Sequence, residues 1–425
     1  MKGRTLNPLS LLIKAYDAAV LAAHPSNHLN AYFPPLPKGR LIIVGAGKAA
    51  ASMAQAAEAH YGPKNLEGLV ITRYGHAAPT KKIRVLEAAH PVPNEEGVMA
   101  TKKLLEHLSG LSEDDLVLCL ISGGGSALLI APRGLSLKTK AELTKALLHS
   151  GATIGEMNIV RKHLSQVKGG QLAAKAQPAR VMSLILSDVV GDELSSIASG
   201  PTVPDPSTFA DALEVIERYK IAMPDVKAIL QKGLKGEVPE TPKAEDALFD
   251  NVSNHLVASN QQSLEAVADF FRSQGINAHI LSSTVEGEAR DVAKVHAAIA
   301  KQVKRYAQPF SPPCALISGG ETTVSVKQKG KGGRNGEFAL SLAIELAGTS
   351  GIYALAADTD GIDGSETNAG AFVTPQSFDK VALYEARQFL EKNDSYSFFE
   401  KADGLFITGP TQTNVNDLRI ILILE

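Results

Sequence analysis

Two glycine-rich segments combine residue types that can hold an anion, and each lies between an apolar run and a helical stretch. They are Val44-Gly45-Ala46-Gly47-Lys48 and Ser122-Gly123-Gly124-Gly125-Ser126. Glycines at a strand-to-helix turn let backbone amides point at an anion, which the helix N-terminus also attracts. A lysine at a helix start opposes the helix dipole unless an anion lies nearby. We therefore predict that Lys48 contacts a phosphate group and that further phosphate oxygens bind to Gly45, Gly47, Ser122, Gly123, Gly124, Gly125 and Ser126.

Neither segment matches a complete nucleotide-binding motif. The first satisfies the fingerprint G-x-G-x-x-A of dinucleotide-binding folds. The acid expected at the end of the next strand is missing, because Arg73 stands there, and arginine suits at best the 2′-phosphate of NADP. The second segment lacks the Gly-Lys-Ser/Thr ending of a Walker A loop. For both, a turn whose glycines only allow positive φ is the alternative.

Acidic side chains follow several apolar runs, where carboxylates can bind Mg²⁺ or orient a hydroxyl group. Asp188 follows the run 181–186, and we predict a catalytic and metal-binding role for it. The other metal candidates are Asp192, Glu321 and Asp360. Asp360 lies in a segment with calcium-loop spacing, but Asp363 occupies the position at which an EF-hand requires glycine. A turn in which the carboxylate binds its own backbone is the alternative for each acid.

A second cation lies beside another pair of glycines. Arg334 follows Gly332 and Gly333 before the predicted helix 338–347, where its guanidinium can bind two oxygens of a phosphate or carboxylate. The segment Ile317-Ser318-Gly319-Gly320 repeats Ile121-Ser122-Gly123-Gly124. We therefore expect both segments at the carboxyl ends of their strands, with Gly319 and Gly320 also against the ligand. A hairpin with a solvated arginine is the alternative.

The pattern of apolar runs indicates how these residues are positioned. Short apolar runs alternate with alanine-rich stretches from Leu41 onward, as in proteins whose parallel strands are joined by helices. A polar stretch that contains Pro239 and Pro242 interrupts this alternation. The chain has 425 residues, which is too many for one ordinary core. We predict an α/β protein with two domains, residues 1–250 and 251–425. The predicted strands are 41–44, 68–72, 116–121, 181–186, one near Leu256, 278–281, 315–317, 324–326 and 353–356.

The composition narrows the class of partner. The 43 Lys+Arg and 45 Asp+Glu give a net charge of −2, which provides no broad basic surface for nucleic acid or an acidic membrane. Cys119 and Cys314 both lie in apolar runs, so no disulfide framework is expected. No apolar run approaches the roughly 20 residues that span a bilayer. We predict a cytoplasmic protein with a small-molecule ligand, and the sequence is compatible with a homodimer.

Taken in order, several segments resemble the class II glycerate kinases, or glycerate 2-kinases, which carry a MOFRL-type C-terminal domain. Some members of that family bear the name hydroxypyruvate reductase. The resemblance covers nearly the whole chain. The segments that carry it are VGAGKAA, AAHPVPN, ISGGGSALL, NIVRKHLSQVKGG, SDVVGDELSSIASGPTVPD, ISGGETTVSV, KGGRNGEFALSLA, AADTDGIDGSETNAGA and GPTQTNVNDLRI. Two positions depart from the usual family pattern, Gly336 where Gln is usual and Gln412 where Gly is usual.

The resemblance implies a fold and a reaction. It implies a larger Rossmann-like N-terminal domain, a smaller α/β C-terminal domain and an active site in the cleft between them. It implies Lys48 and Arg334 as leading catalytic residues, and phosphorylation of D-glycerate by ATP with Mg²⁺, at O2. Residue chemistry alone does not choose between O2 and O3. A hydroxypyruvate reductase that uses NADH or NADPH is the alternative reading, and a protein that only binds a metabolite is a third.

Overall fold

The computed structural model describes residues 7–425, which form two compact units. The first unit comprises residues 25–257, and the second combines residues 7–24 with 258–425. The strands are β1 (Leu41–Ala46), β2 (Glu67–Arg73), β3 (Arg84–Ala88), β4 (Leu116–Ile121), β5 (Arg180–Leu186), β6 (Val252–Ala258), β7 (Asn277–Glu288), β8 (Cys314–Thr323), β9 (Ile352–Asp358), β10 (Gly370–Val373), β11 (Leu405–Phe406) and β12 (Asp417–Ile423).

The helices join these strands and cover both sheets. They are α1 (Pro8–Ala23), α2 (Pro25–His28), α3 (Ala50–Tyr61), α4 (Glu95–Glu106), α5 (Gly125–Leu128), α6 (Leu137–His149), α7 (Ile154–His163), α8 (Gln171–Lys175), α9 (Phe209–Arg218), α10 (Pro224–Leu234), α11 (Asn260–Ser273), α12 (Ala289–Tyr306), α13 (Arg334–Leu346), α14 (Leu383–Glu391) and α15 (Ser395–Lys401). Short 3₁₀ turns occupy Leu29–Ala31, Ile197–Ser199 and Ala247–Asn251. Within residues 7–425, no helix is long and apolar enough to cross a membrane.

The sheet of the first unit has the strand order β3-β2-β1-β4-β5-β6. Strands β1 to β5 pair in parallel with one another, and every residue of β1 and β4 is buried. The order reverses between β1 and β4, and in open α/β sheets ligands bind at such a switch point, outside the carboxyl ends of the strands. The predicted α/β class and the predicted strands 41–44, 68–72, 116–121 and 181–186 are confirmed. The two segments that follow β1 and β4, around Lys48 and Gly124, therefore lie at the switch point.

The second unit differs from the expected run of parallel strands. Its sheet has the order β11-β10-β9-β12-β8-β7, in which only β7 and β8 pair in parallel. The central strand β12 is fully buried and lies between β8 and β9, yet the apolar pattern alone did not indicate it. The predicted strand 324–326 is wrong, because no strand forms there. A strand that helices cover on both faces of its sheet is apolar throughout, whether it pairs in parallel or antiparallel. The apolar pattern therefore could not reveal the mixed pairing.

The N-terminal helix α1 belongs to the second unit, although the predicted boundary placed it in the first domain. Its apolar face, which includes Leu12 and Tyr16, packs with Phe271 of α11 in one buried cluster. The Tyr16 hydroxyl donates a hydrogen bond to the Asp358 carbonyl at 2.9 Å. The compact units also divide after residue 257 rather than after residue 250. The difference arises because α1 finds its apolar partner late in the chain, which local periodicity cannot show.

A buried histidine ties α7 to the segment that precedes β6. The Nδ1 of His163 faces the Ile159 carbonyl at 2.8 Å, and its Nε2 faces Glu240 Oε1 at 2.9 Å. Glu240 also accepts hydrogen bonds from the amides of Phe209 and Thr241 at 2.9 and 2.8 Å. Partial burial raises the pKa of Glu240, but the hydrogen bonds from His163 and the two amides outweigh it and lower that pKa to about 2.

We expect Glu240→Ala to lower the free energy of unfolding at pH 7 by about 1–3 kcal/mol, because His163 loses its buried partner. Glu240 has a depressed pKa in the folded state, so its contribution is present above the unfolded pKa of about 4.3. The contribution is lost as the pH falls through about 2. Denaturant unfolding between pH 2 and 7 measures both effects, with the exposed Glu237→Ala as control. Equal stability of Glu240→Ala and wild type at pH 7 would contradict this role.

Candidate functional site

Hydrogen bonds hold the loop after β1 against β2 and against the loop after β4. The Lys48 amide donates to the Gly123 carbonyl at 2.8 Å, and the Gly47 amide donates to the Ile71 carbonyl at 3.1 Å. The Ala49 amide donates to the Ser122 hydroxyl at 3.0 Å. The three amides that a dinucleotide-binding fold would offer to a pyrophosphate are thus engaged within the protein.

Close packing accounts for the first pair of glycines. Gly47 has φ of +143°, and a Cβ there would lie 2.1 Å from the Ser122 hydroxyl oxygen. A Cβ on Gly45 would lie 2.1 Å from the Leu120 carbonyl oxygen. Gly45 lets β1 lie close to β4, and Gly47 lets the two loops approach each other. These contacts explain both glycines without a ligand.

The second loop leaves its own amides open. The amides of Gly123 and Gly124 have no hydrogen-bond acceptor within the described residues. Gly124 has φ of +77°, and a Cβ there would lie 2.8 Å from Nε2 of His90 and 3.4 Å from Cγ of Lys48. His90 and Lys48 therefore flank the loop. An anion bound to the two amides would meet both side chains, so the residues present fit a phosphate group.

A strained turn supports the other side of this loop. Ala198, Ser199 and Gly200 have φ of 51°, 62° and 60°, a left-handed run that costs free energy for the two residues with a Cβ. The hydroxyl oxygens of Ser199 and Ser126 lie 2.8 Å apart. The amides of Gly169 and Gly170 donate to the carbonyls of Ser199 and Gly200 at 3.0 and 2.8 Å. We call the segments 122–126, 165–170 and 198–200 the three-loop cluster.

Lys168 lies inside the three-loop cluster with only 1% of its surface exposed. Its Nζ donates to the carbonyls of Ser126 and Leu129 at 3.0 and 3.4 Å. Burial, followed by the charges of Lys140 and Arg161, places the pKa of Lys168 well below its usual value. A buried lysine whose charged form has no carboxylate partner is costly to ionise, and such a position is a candidate functional position.

Asp188 and Asp192 both lie in the loop after β5, the strand next to β4. Asp188 is half-buried and comes two residues after the strand ends. Asp192 closes a turn through its amide, which donates to the Val189 carbonyl at 3.1 Å, and it has φ of 57°. The sequence thus placed Asp188 correctly at the carboxyl edge of the first sheet, whereas the geometry of Asp192 is that of a turn residue.

In the second unit, three carboxylates surround Arg334. Its Nε donates to Asp417 at 2.8 Å, its Nη1 to Glu321 at 2.7 Å and its Nη2 to Asp358 at 2.9 Å. Burial would lower the pKa of the guanidinium, but the charges of Asp417, Asp358 and Glu321 hold it well above its usual value. The side chain of Glu321 is 45% exposed, whereas those of Asp358 and Asp417 are 6% and 0% exposed. Glu321 is therefore the partner that Arg334 can exchange most readily for a ligand oxygen.

A further carboxylate holds the start of α13, where Arg334 is the first residue. Asp363 accepts hydrogen bonds from the amides of Asn335 and Gly336 at 3.0 and 2.8 Å and so caps the helix. Burial raises the pKa of Asp363 to about 6, against the effect of these two hydrogen bonds. Asp417 also accepts a hydrogen bond at 2.6 Å from Arg419, which is 1% exposed. The network fixes Arg334 from both sides.

The predicted metal candidates of this unit are already engaged. Glu321 binds Arg334, and Asp360 is 1% exposed and accepts the amide of Ile362 at 2.9 Å, the turn that was the alternative reading. Within residues 7–425, no three His, Cys, Asp or Glu side chains come together as a metal site. Mg²⁺ commonly takes only one or two carboxylates, with substrate phosphates and water completing its shell. Asp188 fits such a site better than Glu321 or Asp360.

The repeated segment around Gly319 and Gly320 does not form a turn. Both glycines lie within β8, where Leu418 and Asp417 of β12 are their partners. A Cβ on Gly319 would lie 1.7 Å from Oδ1 of Asn260, and one on Gly320 would lie 2.3 Å from the Val285 amide nitrogen. Close packing thus explains both glycines. Their expected place after the end of a strand is wrong, because β8 continues to Thr323.

Reasoning from residue types missed several members of these clusters. His90 and Lys168 lie in the segments AAHPVPN and NIVRKHLSQVKGG, and Asp417 lies in GPTQTNVNDLRI, so these segments were noticed but not their individual residues. In each segment the residue is one polar side chain within a stretch of other residue types. Such a local pattern does not show which other side chain it contacts.

Comparison with known proteins places these clusters in context. The profile described as "Domain of unknown function (DUF4147)" matches residues 11–231, and that of the MOFRL family matches residues 314–417. The D-glycerate 2-kinase of Thermotoga maritima is 44% identical, over 97% of this chain and 98% of that protein. A relative in Agrobacterium vitis that bears a hydroxypyruvate reductase name is 48% identical, over 97% of this chain and 94% of its own. The crystal structure of a glycerate kinase from Thermotoga maritima is 43% identical and superposes with a TM-score of 0.87, covering 98% of this chain and 99% of that chain.

Proposed function

The chain belongs to the family of glycerate 2-kinases with a MOFRL domain, and from this premise we propose that it phosphorylates D-glycerate with ATP and Mg²⁺. The observation that carries the proposal is the pair of open amides at Gly123 and Gly124, flanked by Lys48 at the switch point of the first sheet. In the reaction, a glycerate hydroxyl releases its proton to the solvent and its oxygen bonds to the γ-phosphorus. The bond from that phosphorus to the bridging oxygen of ADP breaks. We assign O2 as the acceptor oxygen.

The residues of the first unit have binding and orienting roles in this proposal. The amides of Gly123 and Gly124 hold phosphate oxygens of the nucleotide, and Ser122 and Ser126 shape the loop. Lys48 neutralises charge on the transferred phosphoryl group, where preorganised cations contribute most to rate. Gly45, Gly47 and Gly125 keep the loop in place by close packing.

Asp188 is our leading metal and acceptor residue. It follows the strand adjacent to the open amides, so its carboxylate can bind Mg²⁺ or orient the glycerate hydroxyl. Mg²⁺, when bound, supplies charge neutralisation on the nucleotide phosphates. Asp192 remains a weaker candidate for the same ion.

In the second unit, Arg334 is our leading catalytic residue, as a cation for a substrate oxyanion. Exchange of its exposed partner Glu321 for a phosphate oxygen would free Nη1, while Asp417 and Asp358 keep the guanidinium oriented. A guanidinium held on two sides is preorganised for an oxyanion, and arginines in phosphoryl transfer act in this way. Glu321 is in this account a partner of Arg334 rather than a metal ligand.

The structure of the first unit favours the hypothesis of a hydroxypyruvate reductase less than that of a kinase. A dinucleotide would need the amides of Gly47, Lys48 and Ala49, which already have acceptors, and an acid where Arg73 stands. These two observations favour the kinase.

We expect purified protein to form ADP from ATP only when D-glycerate and Mg²⁺ are both present, and to be inactive after chelation of the metal. NADH and NADPH should not be oxidised with hydroxypyruvate. A coupled assay for ADP, an absorbance assay for NAD(P)H and NMR of the phosphorylated product measure the three points. Phosphorylation at O3 would correct only the position. Oxidation of NAD(P)H without ADP formation would replace the kinase by the reductase.

We place the enzyme in the cytoplasm, and its sequence is compatible with a homodimer. Cell fractionation and analytical ultracentrifugation check these two points. Neither point affects the assignment of residues above.

A further inference from the structure

The segment after β3 brings His90 to the loop after β4. Strand β3 is the edge strand of the first sheet, and β2 and β1 lie between it and β4. His90 comes two residues after the end of β3, yet it lies against Gly124, where a Cβ would be 2.8 Å from its Nε2 and 3.0 Å from its Cδ2. The segment after β3 therefore crosses the carboxyl edge of the sheet as far as the switch point, where open α/β sheets bind ligands.

Helix α4 holds both the segment of His90 and the end of the loop after β4. Asn94 caps the helix, and its Oδ1 also accepts the amide of Ala89 at 3.2 Å, one residue before His90. Further along the helix, the Thr101 hydroxyl accepts the amide of Ile130 at 2.8 Å, shortly after α5. Because one helix binds both segments, the fold itself fixes the imidazole beside the loop.

Three kinds of hydrogen-bond donor surround Gly124. The amides of Gly123 and Gly124 have no acceptor within the described residues. Cγ of Lys48 lies 3.4 Å from the same Cβ position on Gly124 that His90 approaches. An imidazole nitrogen that carries a proton donates a hydrogen bond, as do an ammonium and a backbone amide, and such groups together bind phosphate oxygens. Because residue 124 is a glycine, no side chain fills the space beside the imidazole and the lysine.

We propose that His90 binds the terminal phosphate of ATP, with its Nε2–H donating to one oxygen of the group that the amides of Gly123 and Gly124 hold. The choice of the terminal phosphate follows from Lys48, which flanks the same glycine and which we place on the transferred phosphoryl group. For the identity of the ligand, this inference rests on the proposed function. The alternative is an imidazole that only packs against Gly124.

Two substitutions of similar size separate hydrogen bonding from packing. His90→Gln keeps an N–H that can take the place of Nε2, whereas His90→Leu fills the space without a donor. Calorimetry on the full chain measures the affinity for the β,γ-imido analogue of ATP in the presence of Mg²⁺. We expect His90→Leu to bind the analogue about 10- to 100-fold more weakly than wild type, the effect of one hydrogen bond to a charged group. His90→Gln should retain most of the affinity.

The matched control is His149→Gln, at an exposed position of α6, which should bind the analogue as wild type does. The unfolding midpoint of each variant checks that it is folded, and His90→Ala replaces His90→Leu if the latter does not fold. Equal affinities of His90→Leu and His90→Gln for the analogue overturn the proposal, because packing alone would then account for the histidine.

ADP, which lacks the terminal phosphate, identifies the group that His90 contacts. Wild type, His90→Gln and His90→Leu should bind ADP with the same affinity. A loss of ADP affinity in His90→Leu as large as the loss for the analogue overturns the assignment to the terminal phosphate. In steady-state kinetics, His90→Leu should raise KM for ATP more than KM for D-glycerate. The opposite order would place the imidazole on glycerate and overturn the proposal.

Failure of this proposal and failure of the proposed function give different results. Analogue binding that His90→Leu weakens, without ADP formation by wild type from ATP and D-glycerate, leaves the phosphate site and removes the glycerate kinase. Normal ADP formation by wild type, with unchanged analogue affinity in His90→Leu, leaves the kinase and removes His90 from the site.

Discussion

Replacement of Arg334 by alanine is expected to reduce kcat by about 10³-fold, in the range that arginines contribute to phosphoryl transfer. The loss should exceed any rise in KM, because the cation acts on charge that develops in the transition state. Arg334→Lys should restore little activity. The planar guanidinium can bind Asp417, Asp358 and a phosphate oxygen at the same time, whereas the ammonium of lysine is a single point charge that cannot contact all three. Steady-state kinetics on each folded variant, with both substrates varied, measures these effects.

Stability must be measured beside activity, because Arg334 also neutralises buried acids. Its removal leaves Asp417 and Asp358 without this partner, and breaking such pairs costs about 3–5 kcal/mol. Kinetics are therefore recorded well below the unfolding midpoint. Arg387→Ala, at an exposed position of α14, is the matched control, and Glu321→Gln should stay folded and active. Near wild-type kcat in folded Arg334→Ala would remove this arginine from the mechanism.

For Lys48, truncation to alanine should lower kcat by about 10²- to 10³-fold, the effect of removing one preorganised group that stabilises transition-state charge. The variant is expected to fold, because the amide and carbonyl of Lys48, which bond to Gly123 and Thr72, belong to the backbone and remain. Kinetic assays and the unfolding midpoint of the same preparations check both parts.

The control for this lysine is Lys64→Ala, which removes an exposed cation from the same unit. It should leave kcat unchanged. If folded Lys48→Ala had the same kcat as Lys64→Ala, Lys48 would have no catalytic role and would only form part of the turn after β1. If only KM for ATP rose, Lys48 would bind the ground-state nucleotide without acting on the transferred group.

Most strands of the first sheet could be predicted from local sequence, although the edge strand β3 was missed. Strands β1, β2, β4 and β5 are short apolar runs between polar turns, and this pattern depends only on neighbouring residues. The same locality placed Lys48 and Asp188 after strands that end at one edge of the sheet. Reasoning by analogy between two Ser-Gly-Gly segments failed for Gly319 and Gly320, because the contacts around a glycine decide whether it turns the chain or lets another residue approach.

The sequence by itself determined the α/β class, the strands β1, β2, β4 and β5 and the candidate cations, since these follow from periodicity and residue chemistry. Only the tertiary structure decided which groups are engaged and which are open. Asp417 meets Arg334 from 83 positions away, and Ser199 meets Ser126 from 73 positions away. The tertiary structure also decided that the amides of Gly47 to Ala49 donate hydrogen bonds within the protein, while those of Gly123 and Gly124 have no acceptor among the described residues. The physical reason is that hydrogen bonding and burial depend on what long-range folding brings beside a residue, and no local pattern encodes that neighbour.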